Sequence, residues 1–345
     1  MTPTTIEVCT DPAAWDAYIQ RAPSACAYHS WAWKTIIEDT YGHSTHYLAA
    51  HSKGDGVIQG VLPLVEMKSL LFGHFLISMP FVNYGGVVAD NDEARDLLLS
   101  RAADLARELG AHHIELRQGA PTDTGWQDAS AKVAMILRLP QKESELWDAL
   151  SSRLRNKVRN ARKHGLECRW SGSEELASFY SVFAANMRNL GTPVYPRSWF
   201  ENVCRGLGGS CRILTLWKRR DPVAATIFTS FRDAAELPWI ASIPEARGEY
   251  STILLYWTAM EWAIQHGFRS LDLGRCTPGS GTHRFKQQWK PEEVPLHWYY
   301  WLAPGVSLPH LRPDNPKYRL AIRLWQRLPL FVANRLGPRI VRSIP

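Results

Sequence analysis

The chain has 345 residues, with 40 basic and 33 acidic side chains, 45% hydrophobic residues and 15 tryptophans. That is the composition of a folded chain of two ordinary domains, without the low-complexity runs of a disordered or fibrous one. The net charge of +7 is uneven: seven basic and no acidic residues lie between 315 and 345, so the body is balanced. This argues against a general nucleic-acid binder and for one localised contact with an anionic partner.

The amino terminus, residues 1–15, has no basic region followed by an apolar core, so no secretory signal is expected. Tyr47–Ala50 and Val61–Leu64 predict a hairpin. The longest apolar stretch, 70–89, is interrupted by His74, Pro80, Asn83 and Gly85-Gly86. It reads as two strands around a break at Met79-Pro80 and not as a bilayer span. An amphipathic helix then ends at Gly110, and Ile114–Arg117 follows as a strand with Glu115 between aliphatics.

After Pro140, the spacing predicts one helix over 142–164, closed by Gly165. Trp147, Leu150, Leu154, Val158 and Ala161 form its apolar stripe. Its polar face carries Arg153, Arg155, Lys157, Arg159, Arg162 and Lys163 without an acid among them. Helix-dipole compensation accounts for some of these cations, and an anionic partner would relieve the repulsion of the rest. Farther on, Arg188 and Arg197 could each clamp a phosphate in bidentate fashion, with an ordinary helix-end arginine as the alternative. Tyr195 or Trp199 is suited to stack on a base or sugar, with aromatic packing as the alternative.

The second half repeats the first at a constant offset of about 157 residues. Ile213–Leu216 and Ala224–Phe228 predict a hairpin, a helix spans Ser251–His266 with Tyr256 in its core, and Gly267 precedes the strand Leu271-Asp272-Leu273. A loop with Gly274, Arg275, Gly279, Ser280 and Gly281 leads into a helical stretch with Arg284, Lys286 and Trp289, then an aromatic strand to Trp301. Glycines let the loop approach a ligand, and Lys286 could then hold an anionic group or a developing oxyanion. Asp272 could accept a proton or position Arg275. The loop lacks the lysine of a phosphate-binding loop. His43, His46, His112 and His113 lack the partners of a metal site. Cysteines 9, 26, 168, 204, 211 and 276 show no paired or metal spacing, which suggests free thiols in a reducing cytoplasm. Strands alternating with helices predict mixed α/β units.

The order Asp272-Leu273-Gly274-Arg275, Gly279-Ser280-Gly281, Phe285-Lys286 and Trp289 before an aromatic strand resembles the C-terminal signature of the FemAB-like acyltransferases. Arg155-Asn156, Arg159, Ala161 and Gly165 resemble a helix of the same family. The resemblance implies an α/β (α+β) chain of two tandem GNAT-like lobes, 1–140 and 141–305, with mixed sheets, followed by a basic extension, 306–345. It implies Lys286, Asp272 and Arg275 as the catalytic group. Arg155, Arg159, Arg188, Arg197, Trp199, Ser280, Gly281 and Arg284 would bind substrate. The reaction would be acyl or aminoacyl transfer to an amine on a cell-envelope or exopolysaccharide precursor. The donor would be aminoacyl-tRNA or acyl-coenzyme A, with no tightly bound cofactor and no metal. Glu245-Ala246-Arg247-Gly248-Glu249-Tyr250-Ser251 stands where GNAT proteins carry their pyrophosphate loop, and no long helical arm is present, so both donors stay open. A coenzyme A-dependent acetyltransferase of small amines and a non-catalytic scaffold for polysaccharide assembly are the alternatives.

The tail from Asn315 through Trp325 to Arg339 resembles the ending of a FemAB-like subgroup associated with exosortase/PEP-CTERM systems. Leu320, Leu324, Leu328 and Phe331 give it an apolar side among basic residues. Such a segment suits an anionic membrane surface at the inner face of the plasma membrane, or it packs on the body.

Overall fold

A computed structural model describes residues 4–54, 56–69, 73–129, 131–308 and 316–344, with the side chains of Arg247 and 316–319 outside that description. The readings of residues 70–72, of Asn315, and of the side chains of Arg247, Lys317 and Arg319 therefore lie outside the described residues. The chain divides into two units, 1–132 with 295–311 and 342–345, and 133–294 with 312–341.

The first unit begins β1 (Thr4–Val8), α1 (Pro12–Arg21), α2 (Ala32–Tyr41), β2 (Thr45–Ser52), β3 (Ile58–Ser69), β4 (Gly73–Ile77). It continues β5 (Val88–Ala89), α3 (Asp92–Leu109), β6 (His113–Gln118) and β7 (Gln127–Asp128). The second contains β8 (Val133–Arg138), α4 (Glu143–Ala149), α5 (Ser152–Lys163), β9 (Leu166–Ser171), α6 (Leu176–Leu190) and α7 (Arg197–Leu207). There follow β10 (Cys211–Lys218), β11 (Asp221–Phe231), β12 (Ala234–Ser242), α8 (Ser251–Gln265), β13 (Ser270–Cys276), α9 (Gly281–Gln287) and β14 (Glu292–Pro295). The chain closes with β15 (His297–Leu302), α10 (Pro316–Gln326) and α11 (Leu330–Val341).

The two sheets have the same plan. The first runs β1-β2-β3-β4-β6-β15-β7, with β5 on β3, and the second β9-β10-β11-β12-β13-β8-β14. In each, antiparallel strands lead to a parallel pair, β4 with β6 and β12 with β13. A helix, α3 or α8, makes the crossover that a parallel pair requires. The repeat seen in the sequence is therefore a repeat of the whole strand–helix order. Both expected hairpins form, β2 with β3 and β10 with β11. Gly110 ends α3 at φ +67° and Gly267 follows α8 at φ +78°, in the left-handed region where glycine costs least. α3 starts where Asn91 accepts from the Ala94 amide at 2.9 Å, with Asp92 and Glu93 in its first turn.

α8 is apolar on nearly every side and supplies much of the second unit's core, from Ile253 to Ile264, against Leu214, Phe228, Leu271 and Leu273. A helix of that pattern is stable only when enclosed. In the first unit, Leu98, Ala102 and Ala106 of α3 pack on Leu62, Leu76 and Ile114 of the sheet.

Three features differ from the sequence reading. The helix expected over 142–164 is two helices, because Leu150 and Ser151 take extended backbone angles and Ser151 caps α5 by accepting from the Leu154 amide at 3.2 Å. The lobe limits expected at 140 and 305 cut across the strand pairing: β8 lies beside β13 in the second sheet, and β15 lies beside β6 in the first. The stretch around Met79-Pro80 yields β4 and then only the two-residue β5. The tail helices pack on the second unit, where a Cβ on Gly191 would lie 2.5 Å from Ile322 and one on Gly337 would lie 2.8 Å from the Val194 amide nitrogen.

Candidate active site in the second unit

The chemistry-bearing residues of the second unit gather where its parallel strands part. β12 and β13 are in register at Ala234–Ser270, Ala235–Leu271 and Glu236–Asp272, and their ladder ends there. Beyond this point β12 runs on to Ser242 and β13 to Cys276. A register shift of β13 against β8 between Asp272 and Arg275 turns the strand, with Gly274 at φ +84°. A Cβ at Gly274 would lie 3.4 Å from Lys286 Nζ and 3.7 Å from the Leu237 carbonyl oxygen, so the opening is narrow at its root.

Lys286 of α9 fills that root. It is 5% exposed, and its Nζ donates to the carbonyls of Gly274 at 2.8 Å and Arg275 at 3.2 Å. Burial holds its pKa below the usual lysine value, against the pull of Cys276, Asp272 and Glu236 and with the push of Arg275. The Gly274 amide donates to Asp272 Oδ1 at 2.7 Å, which fixes the carboxylate across the same turn. Lys286, Asp272 and Arg275 are thus brought together, around one bend of β13. Glu236, which the sequence reading did not single out, joins them as the register partner of Asp272.

The loop ahead of α9 is held by its own side chains. Ser280 accepts from the His283 amide at 3.1 Å, and Arg284 Nη1 donates to the Gly279 carbonyl at 2.5 Å. His283 is buried; its Nδ1 accepts from the Gly279 amide at 3.2 Å. Its Nε2 therefore carries the proton toward Glu293 Oε2, 2.9 Å away. Ser280 and Arg284 are accordingly used to build the loop, while Gly281 lines the space beside it.

That space is a cleft of about 450 Å³. Its walls come from the end of β12 (Ile240, Ser242), the start of α8 (Thr252, Ile253, Tyr256), α9 (Thr282, Phe285) and Lys157 of α5. Tyr250, at φ +59°, turns the chain into α8 without a side-chain cap, so first-turn amides that have no intrahelical acceptor lie at one wall. Lys157 Nζ donates to Gln288 Oε1 at 2.8 Å, and Thr252 Oγ1 to Ser242 Oγ at 2.8 Å. No acidic residue lines the cleft. A helix start and an ammonium facing an acid-free space suit a phosphate-bearing ligand.

The other expected binding residues lie apart from this cleft. Arg155 faces Asp148 at 3.6 Å, Arg159 lies over the Trp147 ring at 5.3 Å, and Arg162 pairs with Glu261 at 2.7 Å. Arg188 donates to the Gln326 carbonyl at 3.4 Å, at the end of α10, and Arg197 pairs with Glu201 at 3.0 Å. Trp199, expected to stack on a substrate, is fully buried between Tyr195 and Trp239 and belongs to the core. Tyr256 was expected in the core; it is buried and also walls the cleft. Ser242, Thr252 and Gln288 were missed, and Tyr250 was named only within the segment Glu245–Ser251. The signal for Tyr250 and Thr252 was the start of α8 at the end of that segment.

The first unit has a cavity of about 590 Å³ at the matching place, beside the start of α3 and the end of β6. Asp90, Asp92 and Asp123 line it with Arg95 and Arg117, a setting less suited to an anion. His29, also at its wall, is held neutral: burial pushes its pKa down to about 4. Its Nδ1 accepts from the Cys26 amide and its Nε2 donates to the Gly86 carbonyl, both at 3.0 Å. Among the described residues, no three His, Cys, Asp or Glu side chains converge as a metal site, and no helix is long and apolar enough to cross a membrane.

Residues 150–287 match the family model Acetyltransf_6, an acetyltransferase (GNAT) domain. No curated protein matches the sequence. Among solved structures, FemX is similar over 92% of this chain and 100% of its own, with 17% identity and a TM-score of 0.67. L-PGS from Bacillus licheniformis is similar over 92% and 98%, with 13% identity and a TM-score of 0.54. A tandem GNAT protein from the clavulanic acid biosynthesis pathway is similar over 89% and 99%, with 12% identity and a TM-score of 0.53. At such identities the likeness is one of fold. The chain has the GNAT-like fold in two tandem lobes.

Proposed function

We propose that the chain is an N-acyltransferase that moves an acyl or aminoacyl group onto an amine of a cell-envelope or exopolysaccharide precursor, at the cytoplasmic side of the membrane. The observation that carries this reading is the parting of β12 from β13 beside the acid-free start of α8. Past Glu236 the edge of β12 has no ladder to β13. The amides of an extended donor arm can therefore add there as a strand would. Phosphates of the donor would meet the first-turn amides of α8 and Lys157. The acyl carbonyl would then point to the root formed by Glu236, Asp272 and Lys286.

At that root a neutral amine attacks the acyl carbon, a C–N bond forms, and the tetrahedral oxyanion collapses with loss of the donor's sulfur or oxygen. The amine's proton passes through a carboxylate, Asp272 or Glu236, to the leaving group. Lys286 holds the carbonyls that shape the opening and sets a positive charge near the developing oxyanion. Arg275, exposed at the bend, orients the acceptor.

Acyl-coenzyme A is the donor that the cleft favours, since its phosphates match the α8 start. Aminoacyl-tRNA is the second reading, favoured by the exposed Arg153, Arg159 and Lys163 that share α5 with Lys157. The assignment to an exosortase/PEP-CTERM setting rests on the tail's sequence alone. Calorimetric titration of the purified chain with acetyl-coenzyme A and with aminoacyl-tRNA tests the reading. Acetyl-coenzyme A should bind the wild type and bind Lys157→Ala about tenfold more weakly, the loss of one charge-assisted hydrogen bond. Binding of neither donor would sink the proposal.

A further inference from the structure

The tail helices carry most of the exposed large hydrophobic side chains among the described residues. Nine large hydrophobic side chains are exposed among the described residues, and six of them, Leu320, Ile322, Leu324, Phe331, Leu336 and Ile340, lie on α10 and α11. A seventh, Leu190, ends α6, against which both helices pack. Ile322, partly covered by Gly191, aside, these side chains leave apolar groups in water on the tail, and patches of that kind mark interaction sites.

Each helix has an inner face that accounts for its position. On α10, Ile322 sits against Gly191 and Gln326 Nε2 donates to the Asn189 carbonyl at 3.1 Å. On α11, Ala333, Gly337 and Val341 are buried at intervals of four, and Gly337 lies against the backbone of Val194. At 100° per residue the opposite face of α10 carries Leu320 and Leu324, with Arg323 on its flank and Arg327 in the turn that follows the helix. That of α11 carries Phe331, Arg335 and Arg339. These are the exposed residues: Phe331 is 75% exposed, Leu320 60% and Leu324 58%, with all four arginines exposed. No acidic residue occurs from 315 to the end of the chain.

We propose that the outer faces of α10 and α11 dock on an anionic lipid bilayer, lying in its interface with the leucines and Phe331 inserted and the arginines at the headgroups. Helices of 11 and 12 residues span about 18 Å at most, short of the roughly 30 Å hydrocarbon core, so they rest on the bilayer and do not cross it. Apolar side chains flanked by arginines alone match the chemistry of such a surface. A second copy of the same face would bring arginines against arginines, which disfavours self-association there. The inference stands independently of the acyl-transfer reading, because none of these residues lines the cleft.

Flotation of the full chain with vesicles tests it, using phosphatidylglycerol and phosphatidylethanolamine in equal parts against pure phosphatidylcholine. The chain should float with the anionic vesicles and much less with the neutral ones, and added salt should weaken the binding. Arg335→Glu/Arg339→Glu should lose more than about tenfold in affinity, since each arginine near such a surface contributes roughly fivefold. Leu324→Glu/Phe331→Glu should lose a similar amount, and both variants should keep the wild-type thermal midpoint because the side chains are exposed. No flotation with anionic vesicles, or flotation that neither variant reduces, would overturn the proposal. So would a concentration-dependent dimer in sedimentation that Leu324→Glu/Phe331→Glu abolishes, which would assign the face to a second copy.

Discussion

Lys286 illustrates how far a residue's environment can be from its motif. The spacing Phe285-Lys286 after a glycine loop made it a candidate cation, and Asp272 and Arg275 were legible for the same reason. That its ammonium is buried and bound to two β13 carbonyls follows from α9 folding back over the bend at Gly274, a contact that no local pattern specifies. Its removal has a definite cost. Lys286→Met leaves those carbonyls without their donor and removes the buried ammonium that Glu236 and Asp272 act on. Urea unfolding should show a loss of about 3–5 kcal/mol, as when one partner of a buried charge cluster is deleted. A variant as stable as the wild type would show that the ammonium contributes nothing at this position. Trp199 makes the opposite point: an aromatic beside Arg197 looked available for stacking, yet burial among Tyr195 and Trp239 was decided by tertiary packing.

Secondary-structure elements were easier to read than their ends. The apolar stripe from Trp147 to Ala161 is continuous, and nothing in its period reveals that Leu150 and Ser151 are extended. The interruption is a serine cap, a local hydrogen bond that competes with helix continuation. α11 gives a sharper case. Gly337 lies inside a helix, where glycine to alanine ordinarily gains about 1 kcal/mol. Here the new Cβ would meet the Val194 nitrogen at 2.8 Å and its carbonyl oxygen at 3.0 Å. Backbone atoms yield little, so Gly337→Ala should lose about 1–3 kcal/mol. Amide exchange along α11 should quicken while exchange in α8 stays unchanged. A gain in stability would mean that α11 does not dock closely on that segment.

For the whole molecule, the offset of about 157 residues between Glu115 and Asp272 exposed the repeat, and both sheets follow one strand order. The placement of β8 beside β13 and of β15 beside β6 was hidden, because a lone apolar strand between two lobes carries no mark of the sheet it will complete. The two matching clefts differ in charge: three aspartates and two arginines line the first, a single ammonium and no acid the second. The proposed placing of an anionic donor in the second unit rests on that difference.

Hydrogen–deuterium exchange with and without acetyl-coenzyme A tests this assignment most directly. The account predicts slowed exchange over Ile240–Ser242 and the first turn of α8, Ser251–Leu254, with the segments lining the first unit's cavity unchanged. Protection confined to the first unit, at Tyr84–Asp92 and Arg117–Asp123, would contradict it.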